Sequence, residues 1–266
     1  MSKTTTIVMI KGFARKYFEG KKCIFCDKYG LYRLKDKRVK CSCCNKYYSL
    51  RRLRKDIQLL YYFYLEVSAR KAAKELNFDY GAVHNKFMQF RKSMVNYCQN
   101  EEEILKGELE LDESYFGGKR KGKRGRGANN KAIVFGILER KGRVHTVIVN
   151  NVTAETLMNQ IKNKTKKGSV FYTDTWRSYN DLKQYGKHNK INHKKEFAKE
   201  NNHINGIEGF WSFAKERFHK YHGINKNNYP FYLKEMEFRY NNRNNNIFKL
   251  LFDICIVRRQ FSADFH

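Results

Sequence analysis

Five cysteines fall between Cys23 and Cys44, and no other feature restricts the local structure of this chain as tightly. Cys23-Ile24-Phe25-Cys26 and Cys41-Ser42-Cys43-Cys44 form a C-x2-C, fourteen residues, C-x2-C pattern, close to the spacing of a four-thiolate structural zinc site. Two tight knuckles would present two thiolates each, and a module this small has too little core to fold without the metal. By spacing alone Cys43 can replace Cys44, but Cys41 and Cys44 repeat the knuckle of the first pair, so the expected ligands are Cys23, Cys26, Cys41 and Cys44. Free thiols that cluster by chance are the competing reading. Cys98 and Cys255 are read as ordinary cysteines. Four thiolates leave no open coordination position, so a Zn2+ here is structural and any chemistry sits elsewhere.

The rest of the composition names a partner. Fifty-five Lys and Arg against 26 Asp and Glu give a formal charge of +29, which repels itself unless a polyanion neutralises it. Nucleic acid is the expected partner, against the plainer readings of a generally basic proteome or a membrane-surface protein. The abundant Asn and Lys with a single Pro fit an AT-rich coding sequence, which inflates the lysine count somewhat. A hydrophobic content of 41% with 15% aromatic residues supports packed domains rather than a disordered chain. Membrane attachment is not expected. The run Thr6-Ile7-Val8-Met9-Ile10 is too short for a signal peptide, and no stretch approaches the roughly 20 apolar residues of a spanning helix. The expected location is the cytosol, and seven cysteines there do not make a disulfide framework.

Three stretches follow one another. Residues 1–52 hold the ribbon, with short β-like runs at Leu31–Leu34 and Tyr47–Leu50. Residues 53–100 turn helical. Ser68 to Leu76 carries small and apolar residues at helical spacing, Asn77-Phe78-Asp79-Tyr80-Gly81 reads as a turn, and a second helix runs from about Ala82 to Val95, together a helix-turn-helix. From residue 107 to 245 the period changes: Leu109 and Leu111 alternate with Glu108, Glu110 and Asp112, which is strand patterning. Further strands are expected at Ala132–Leu138, Val144–Asn150 and Ser169–Thr173. Helices are expected at Ala154–Lys164 and Asn205–Arg217, giving a mixed α/β domain. Residues 246–266 are read as a C-terminal tail.

Two basic features suit DNA. The second helix of the pair carries His84, Asn85, Lys86, Gln89, Arg91 and Lys92, with Lys86 and Arg91 as candidate phosphate or base contacts; a solvated helix face is the plainer reading. Gly117 to Gly127 mixes glycines with Lys119, Arg120, Lys121, Lys123, Arg124 and Arg126, cations able to line a phosphate backbone, against the plainer reading of a solvated charged hairpin. The order of a nucleotide-binding P-loop is missing.

Asp112 follows an alternating strand, Asp174 ends the apolar run Val170-Phe171-Tyr172-Thr173, and Glu208 opens an amphipathic helix. Acids at two strand ends and a helix start can converge, and two-metal phosphoryl transfer requires such a convergence. Any 26 acids contain some triple that fits, so the pattern alone does not single these out. Leu111-Asp112-Glu113-Ser114-Tyr115-Phe116-Gly117-Gly118, Tyr172-Thr173-Asp174 and His203-Ile204-Asn205-Gly206-Ile207-Glu208-Gly209-Phe210-Trp211, preceded by a zinc ribbon, together resemble bacterial insertion-sequence transposases related to the eukaryotic Merlin elements. The resemblance runs from about Cys23 to Arg243.

That resemblance implies a ribonuclease-H-like fold with Asp112, Asp174 and Glu208 as a D-D-E triad holding two Mg2+ or Mn2+ ions. It also implies an enzyme that binds the inverted-repeat ends of its own element, cuts them, and joins the freed 3'-hydroxyls to target DNA as a dimer or larger assembly. Asn205, one turn before Glu208, is an alternative third ligand, since some relatives use Asn there. Lys215 lies two turns beyond Glu208, where similar enzymes place a basic residue near the scissile phosphate. Glu110 and Glu113 are set aside as exposed strand acids, His203 is read as a substrate-orienting or as a capping or packing residue, and Trp211 as core. A non-catalytic zinc-ribbon regulator, an inactive transposase copy, and a nuclease that cuts without joining are the alternatives.

Overall fold

The computed structural model describes residues 17–18, 22–100, 104–117, 131–175, 177–191, 203–221 and 223–257. The chain divides into two compact units, one formed by the residues up to Met94 together with those from Asn245 on, the other by Val95–Asn244.

The first unit opens with a three-stranded antiparallel sheet of β1 (Leu31–Arg33), β2 (Val39–Cys41) and β3 (Tyr47–Tyr48). Three helices follow: α1 (Leu50–Tyr64), α2 (Ala69–Leu76) and α3 (Tyr80–Asn100). Their boundaries are written in side chains. The Ser49 and Ser68 hydroxyls accept from the Arg52 and Lys71 amides at the starts of α1 and α2, and Asp79 Oδ1 accepts from the Ala82 amide at 2.7 Å. Asn77 ends α2 in the left-handed conformation, φ 52°, which a short amide side chain tolerates. The turn is therefore Asn77–Asp79, tighter than the five residues expected. Leu53, Ile57, Leu60, Phe63, Ala72, Val83, Phe87, Phe90 and Met94 are buried. Residues 246–257, within the segment read as a tail, belong to this unit too, with Asn245 before them. Helix α7 (Ile247–Phe252) buries Leu251 and Phe252, and its Phe248 ring meets Tyr61 edge-on at 6.0 Å.

The second unit is a five-stranded mixed sheet in the order β6-β5-β4-β7-β8: β4 (Glu108–Phe116), β5 (Ala132–Glu139), β6 (Val144–Val149), β7 (Val170–Asp174) and β8 (Lys187–Ile191). The first three form an antiparallel meander, and β7 and β8 add in parallel on the other side of β4. Helix α4 (Ala154–Lys164) makes the crossover from β6 to β7, and with the 3-10 segment Arg177–Gln184 it covers one face over Leu109, Leu111, Phe135, Ile137 and Phe171. Helices α5 (Asn205–Lys220) and α6 (Tyr229–Asn241) cover the other over Phe116, Val134, Leu138 and Tyr172. A three-strand meander continued by two parallel strands, with helices on both faces, is the ribonuclease-H-like arrangement.

Edge strand β6 would leave backbone groups unpaired, which invites pairing with another chain. Helix α6 takes them up: the Asn241 side chain bonds both the amide and carbonyl of Val144, at 2.8 and 2.9 Å, and Glu237 accepts from the Thr146 amide and hydroxyl at 2.7 Å each. Between them on β6, burial and the nearby Lys234 charge push the His145 imidazole down to about 4. Its folded pKa lies below the ordinary value, so the associated stability is complete above about pH 6.5 and drains away as pH falls toward 4. His145→Gln should therefore raise the unfolding free energy read from urea titration at pH 5 by roughly 1–2 kcal/mol, and leave it unchanged at pH 8. Equal acid sensitivity in variant and wild type would contradict this.

Candidate active site and metal centre

Asp112 sits in the middle of β4, half-buried, and points to the sheet face that α5 covers. Strands β4 and β7 are parallel with Glu108 beside Val170 and Glu110 beside Tyr172, so the same register carried two residues on sets Asp174 beside Asp112. Asp174 ends β7, at the carboxyl edge where ligands collect in parallel sheets. Glu208 stands in the first turn of α5, where the positive end of the helix dipole favours an acid.

Two hydrogen bonds tie α5 to β4. Glu110 Oε2 accepts from the Ile207 amide at 2.8 Å, and Asp112 Oδ2 accepts from Trp211 Nε1 at 3.0 Å. Two strand residues span about 6.8 Å and four helical residues about 6 Å, so the two bonds match in register and set the helix along the strand. Glu208 lies between these two attachments, and its charge reaches the Asp112 carboxyl. Glu110 does the work of a cap from another element, because α5 has no side-chain cap of its own. Its carboxylate is 1% exposed and is paired at 3.0 Å with Arg140 Nε. The Arg140 guanidinium lies 3.6 Å from the Tyr172 ring centroid and also donates to the His203 carbonyl. A Cβ at Gly206 would meet Glu110 Oε2 at 2.8 Å, so this close approach needs glycine.

These contacts correct the expectation for Glu110, which is not an exposed strand acid but a buried one, since the face it shares with Asp112 is roofed by α5. Glu113 is not fully exposed either: it projects to the opposite face, where the buried Tyr179 hydroxyl donates to it. Burial, with the charges of Asp112 and Asp174, pushes it up to about 7. His203 contributes its carbonyl to Arg140 and lies with Nδ1 3.8 Å from Glu110, and its side chain does not cap α5. Trp211 is 4% exposed and so is core as expected, with a polar bond that the apolar periodicity did not reveal. Asn205 and Lys215 are exposed on α5, before and after Glu208.

Burial raises the Asp112 carboxyl to about 6; the charges of Asp174 and Glu208 add to the rise, and the Trp211 bond opposes it. A set of hard carboxylate oxygens that penalise one another in this way suits a divalent cation. The three acids do not close into a cage for one ion. Among the described residues only the four cysteines place three or more His, Cys, Asp or Glu ligand atoms mutually within 4.8 Å.

The cysteine cluster fits zinc. The sulfurs of Cys23, Cys26, Cys41 and Cys44 converge, with Cys23–Cys44 and Cys26–Cys41 each 3.7 Å apart. A tetrahedron with zinc–sulfur bonds of about 2.3 Å has edges of about 3.8 Å. Both knuckles close alike: the Asp27 and Asn45 amides return to the Cys23 and Cys41 carbonyls, with Asp27 and Asn45 at positive φ. Exposed Cys43 points away and its thiol donates to the Tyr29 carbonyl, so Cys44 completes the cluster. Burial pushes the Cys23 thiol up to about 12, an environment that a thiolate tolerates beside a cation.

The DNA-contact expectations divide. Arg91 is 2% exposed, its guanidinium 5.2 Å from the Phe63 ring, and Lys86 is paired with Asp56 at 2.5 Å. Neither stands on the outer face of α3, because the core stripe Val83, Phe87, Phe90, Met94 draws both stems inward. Asn85, Gln89 and Lys92 are among the exposed positions of α3. Lys119, Arg120, Lys121, Lys123, Arg124 and Arg126 lie outside the described residues. The segment that carries them springs from the paired ends Phe116 and Ala132, about 13 Å along β4 from Asp112. Among the described residues no helix is long and apolar enough to cross a membrane.

Comparison with known proteins shows the family. The ISXO2-like transposase domain matches residues 104–241, more than half of the chain. An uncharacterized transposase-like protein of Haemophilus influenzae is 46% identical over 104 residues, covering 38% of this chain and 84% of that protein. The chain belongs to the ISXO2-like transposase family, and so to the polynucleotidyl transferases that use divalent metal. Among solved structures, the catalytic core of BIV integrase aligns at a TM-score of 0.36 and 11% identity, over 52% of this chain and 85% of that one. The Mos1 transposase paired-end complex aligns at 0.28 and 12%, over 71% and 76%.

The cysteine assignment separates the two neighbouring thiols. Cys44→Ser should lose its zinc, read as metal per chain by atomic emission, and melt the ribbon, whereas Cys43→Ser should keep one zinc per chain. Full zinc in Cys44→Ser would contradict the cluster.

Proposed function

We propose that the chain is a DNA transposase whose Asp112, Asp174 and Glu208 hold two Mg2+ or Mn2+ ions. The observation that supports this reading is the gathering of the three acids around α5, close enough for Asp174 and Glu208 to raise the Asp112 carboxyl. When bound, the ions supply activation of the attacking oxygen and charge stabilisation at the leaving oxygen. Water attacks the phosphorus at an element end, the P–O3' bond breaks, and the 3'-oxygen leaves as a hydroxyl. That hydroxyl then attacks a phosphorus in target DNA, and a target 3'-hydroxyl departs. The chain's own part is to hold the carboxylates in register from β4, β7 and α5, with Lys215 and the cations of residues 119–126 against the phosphates. Glu208 is preferred to Asn205 as third ligand, because an anion binds Mg2+ more tightly than a neutral carboxamide.

In this reading residues 1–52 and 53–100 recognise the inverted-repeat ends, with Asn85, Gln89 and Lys92 on the outer face of α3 replacing Lys86 and Arg91 as contacts. Residues 107–245 carry out the chemistry, in the bacterial cytosol. Pairing two ends calls for at least two protomers, so the protein–DNA complex should scatter light as a dimer or larger, and a strictly monomeric complex would count against it.

The experiment is a plasmid strand-transfer assay with the DNA flanking the gene as donor. Wild type should cut and join in Mg2+ or Mn2+, whereas Asp112→Asn and Asp174→Asn should fall by at least about 100-fold while still binding DNA. Undiminished joining in either variant would sink the triad. Cutting without joining by wild type would favour the nuclease, and binding without breakage the regulator or inactive copy.

A further inference from the structure

We propose that Trp211 is a positioning residue for Asp112, that Gly136 exists to admit it, and that this bond governs how tightly the carboxylates bind divalent cation. The inference rests on the reading of Asp112 as a metal ligand.

Packing alone does not call for tryptophan at this position. The Trp211 ring fills a buried site beside Phe116, centroids 5.9 Å apart, and Phe210, 5.2 Å apart. A buried indole also brings an N–H that must find an acceptor, and here the acceptor is a candidate catalytic carboxylate. With Oδ2 engaged at 3.0 Å and the Glu113 amide also bonding this carboxyl, its plane no longer rotates freely, and Trp211 is the side chain that sets it. This is the part that partners behind the ligands play in metal sites, where a hydrogen bond to a ligand fixes its orientation.

Gly136 is the second observation. It lies on β5 directly opposite Asp112 in the antiparallel register, in a central strand where glycine weakens the sheet. Nothing in its backbone requires glycine, for its φ is not in the left-handed range. What requires it is the indole: a Cβ there would stand 2.6 Å from Cζ2 and 2.8 Å from Cη2 of Trp211, and 3.1 Å from Ile207 Cδ1. The missing side chain is the floor on which the ring lies to reach Asp112. A glycine on one strand, an acid opposite it and a tryptophan from the helix above form one device.

The test measures Mn2+ binding to the zinc-loaded full chain, by the paramagnetic resonance signal of free Mn2+. It compares wild type, Asp112→Asn, Trp211→Phe, Gly136→Ala and the double variant Gly136→Ala/Trp211→Phe. Trp211→Phe should weaken Mn2+ binding by about 10-fold or more, with DNA binding retained. Gly136→Ala should weaken it similarly although the tryptophan is present, which keeps the test alive if Trp211→Phe melts. The double variant should be little worse than Trp211→Phe, since the smaller ring clears the new methyl and no N–H remains to displace. Wild-type Mn2+ binding in Trp211→Phe, with binding lost in Asp112→Asn, would overturn the proposal and leave Trp211 as packing. Losses that simply add in the double variant would overturn it too. Wild-type binding in Asp112→Asn would instead remove the metal-ligand reading, and this proposal with it.

Discussion

The register between β4 and α5 is the constraint on which the candidate site depends. Asp112 and Asp174 are placed by strand pairing, which is rigid once the sheet forms, but Glu208 comes from a helix that begins fourteen residues after β8 ends. Nothing in the sheet ladder fixes where that helix lies. Glu110 does, by accepting from the Ile207 amide, and Trp211 closes the second point of attachment. Burying the Glu110 charge is costly on its own, and Arg140, the helix N-terminus and the Tyr172 ring beneath the guanidinium offset that cost together. Removing one member would leave a buried charge unmatched, so the group holds or fails as a unit.

The first unit solves a different problem. Its ribbon buries little beyond Ile24, Val39 and Tyr48, too few apolar side chains to hold three strands of two or three residues. The tetrahedral sulfur geometry offers a metal in place of a core. The helices beside it have an ordinary core, rich in rings, to which α7 returns from the far end of the sequence. This return explains why residues 245–257 count with the first unit rather than as a separate appendage.

Much of this was legible in the sequence because the signals were local. The cysteine knuckles, the two helices about the Asn77–Asp79 turn, the alternation of β4 and the span of α4 each follow from residues a few positions apart. What was not legible depends on partners distant in sequence. β8 reads Lys-His-Asn-Lys-Ile, without apolar alternation, and is a strand only because β7 offers it an edge. Glu110 carries the pattern of a solvent-facing acid, and only the helix laid over it 97 residues later shows otherwise. Arg91 and Lys86 look like contacts in a basic helix. Their burial follows from where Phe63 and Asp56 stand on α1. Gly136 gave no signal beyond an unexplained glycine in an apolar strand, and its meaning appears once Trp211 is seen above it.

The most direct test of the central claim is diffraction from crystals soaked in Mn2+, read through the anomalous signal of manganese. The account predicts two peaks roughly 4 Å apart among Asp112, Asp174 and Glu208, with the indole of Trp211 still on Asp112. Density with no manganese at these carboxylates, or with manganese bound while α5 has left β4, would contradict it.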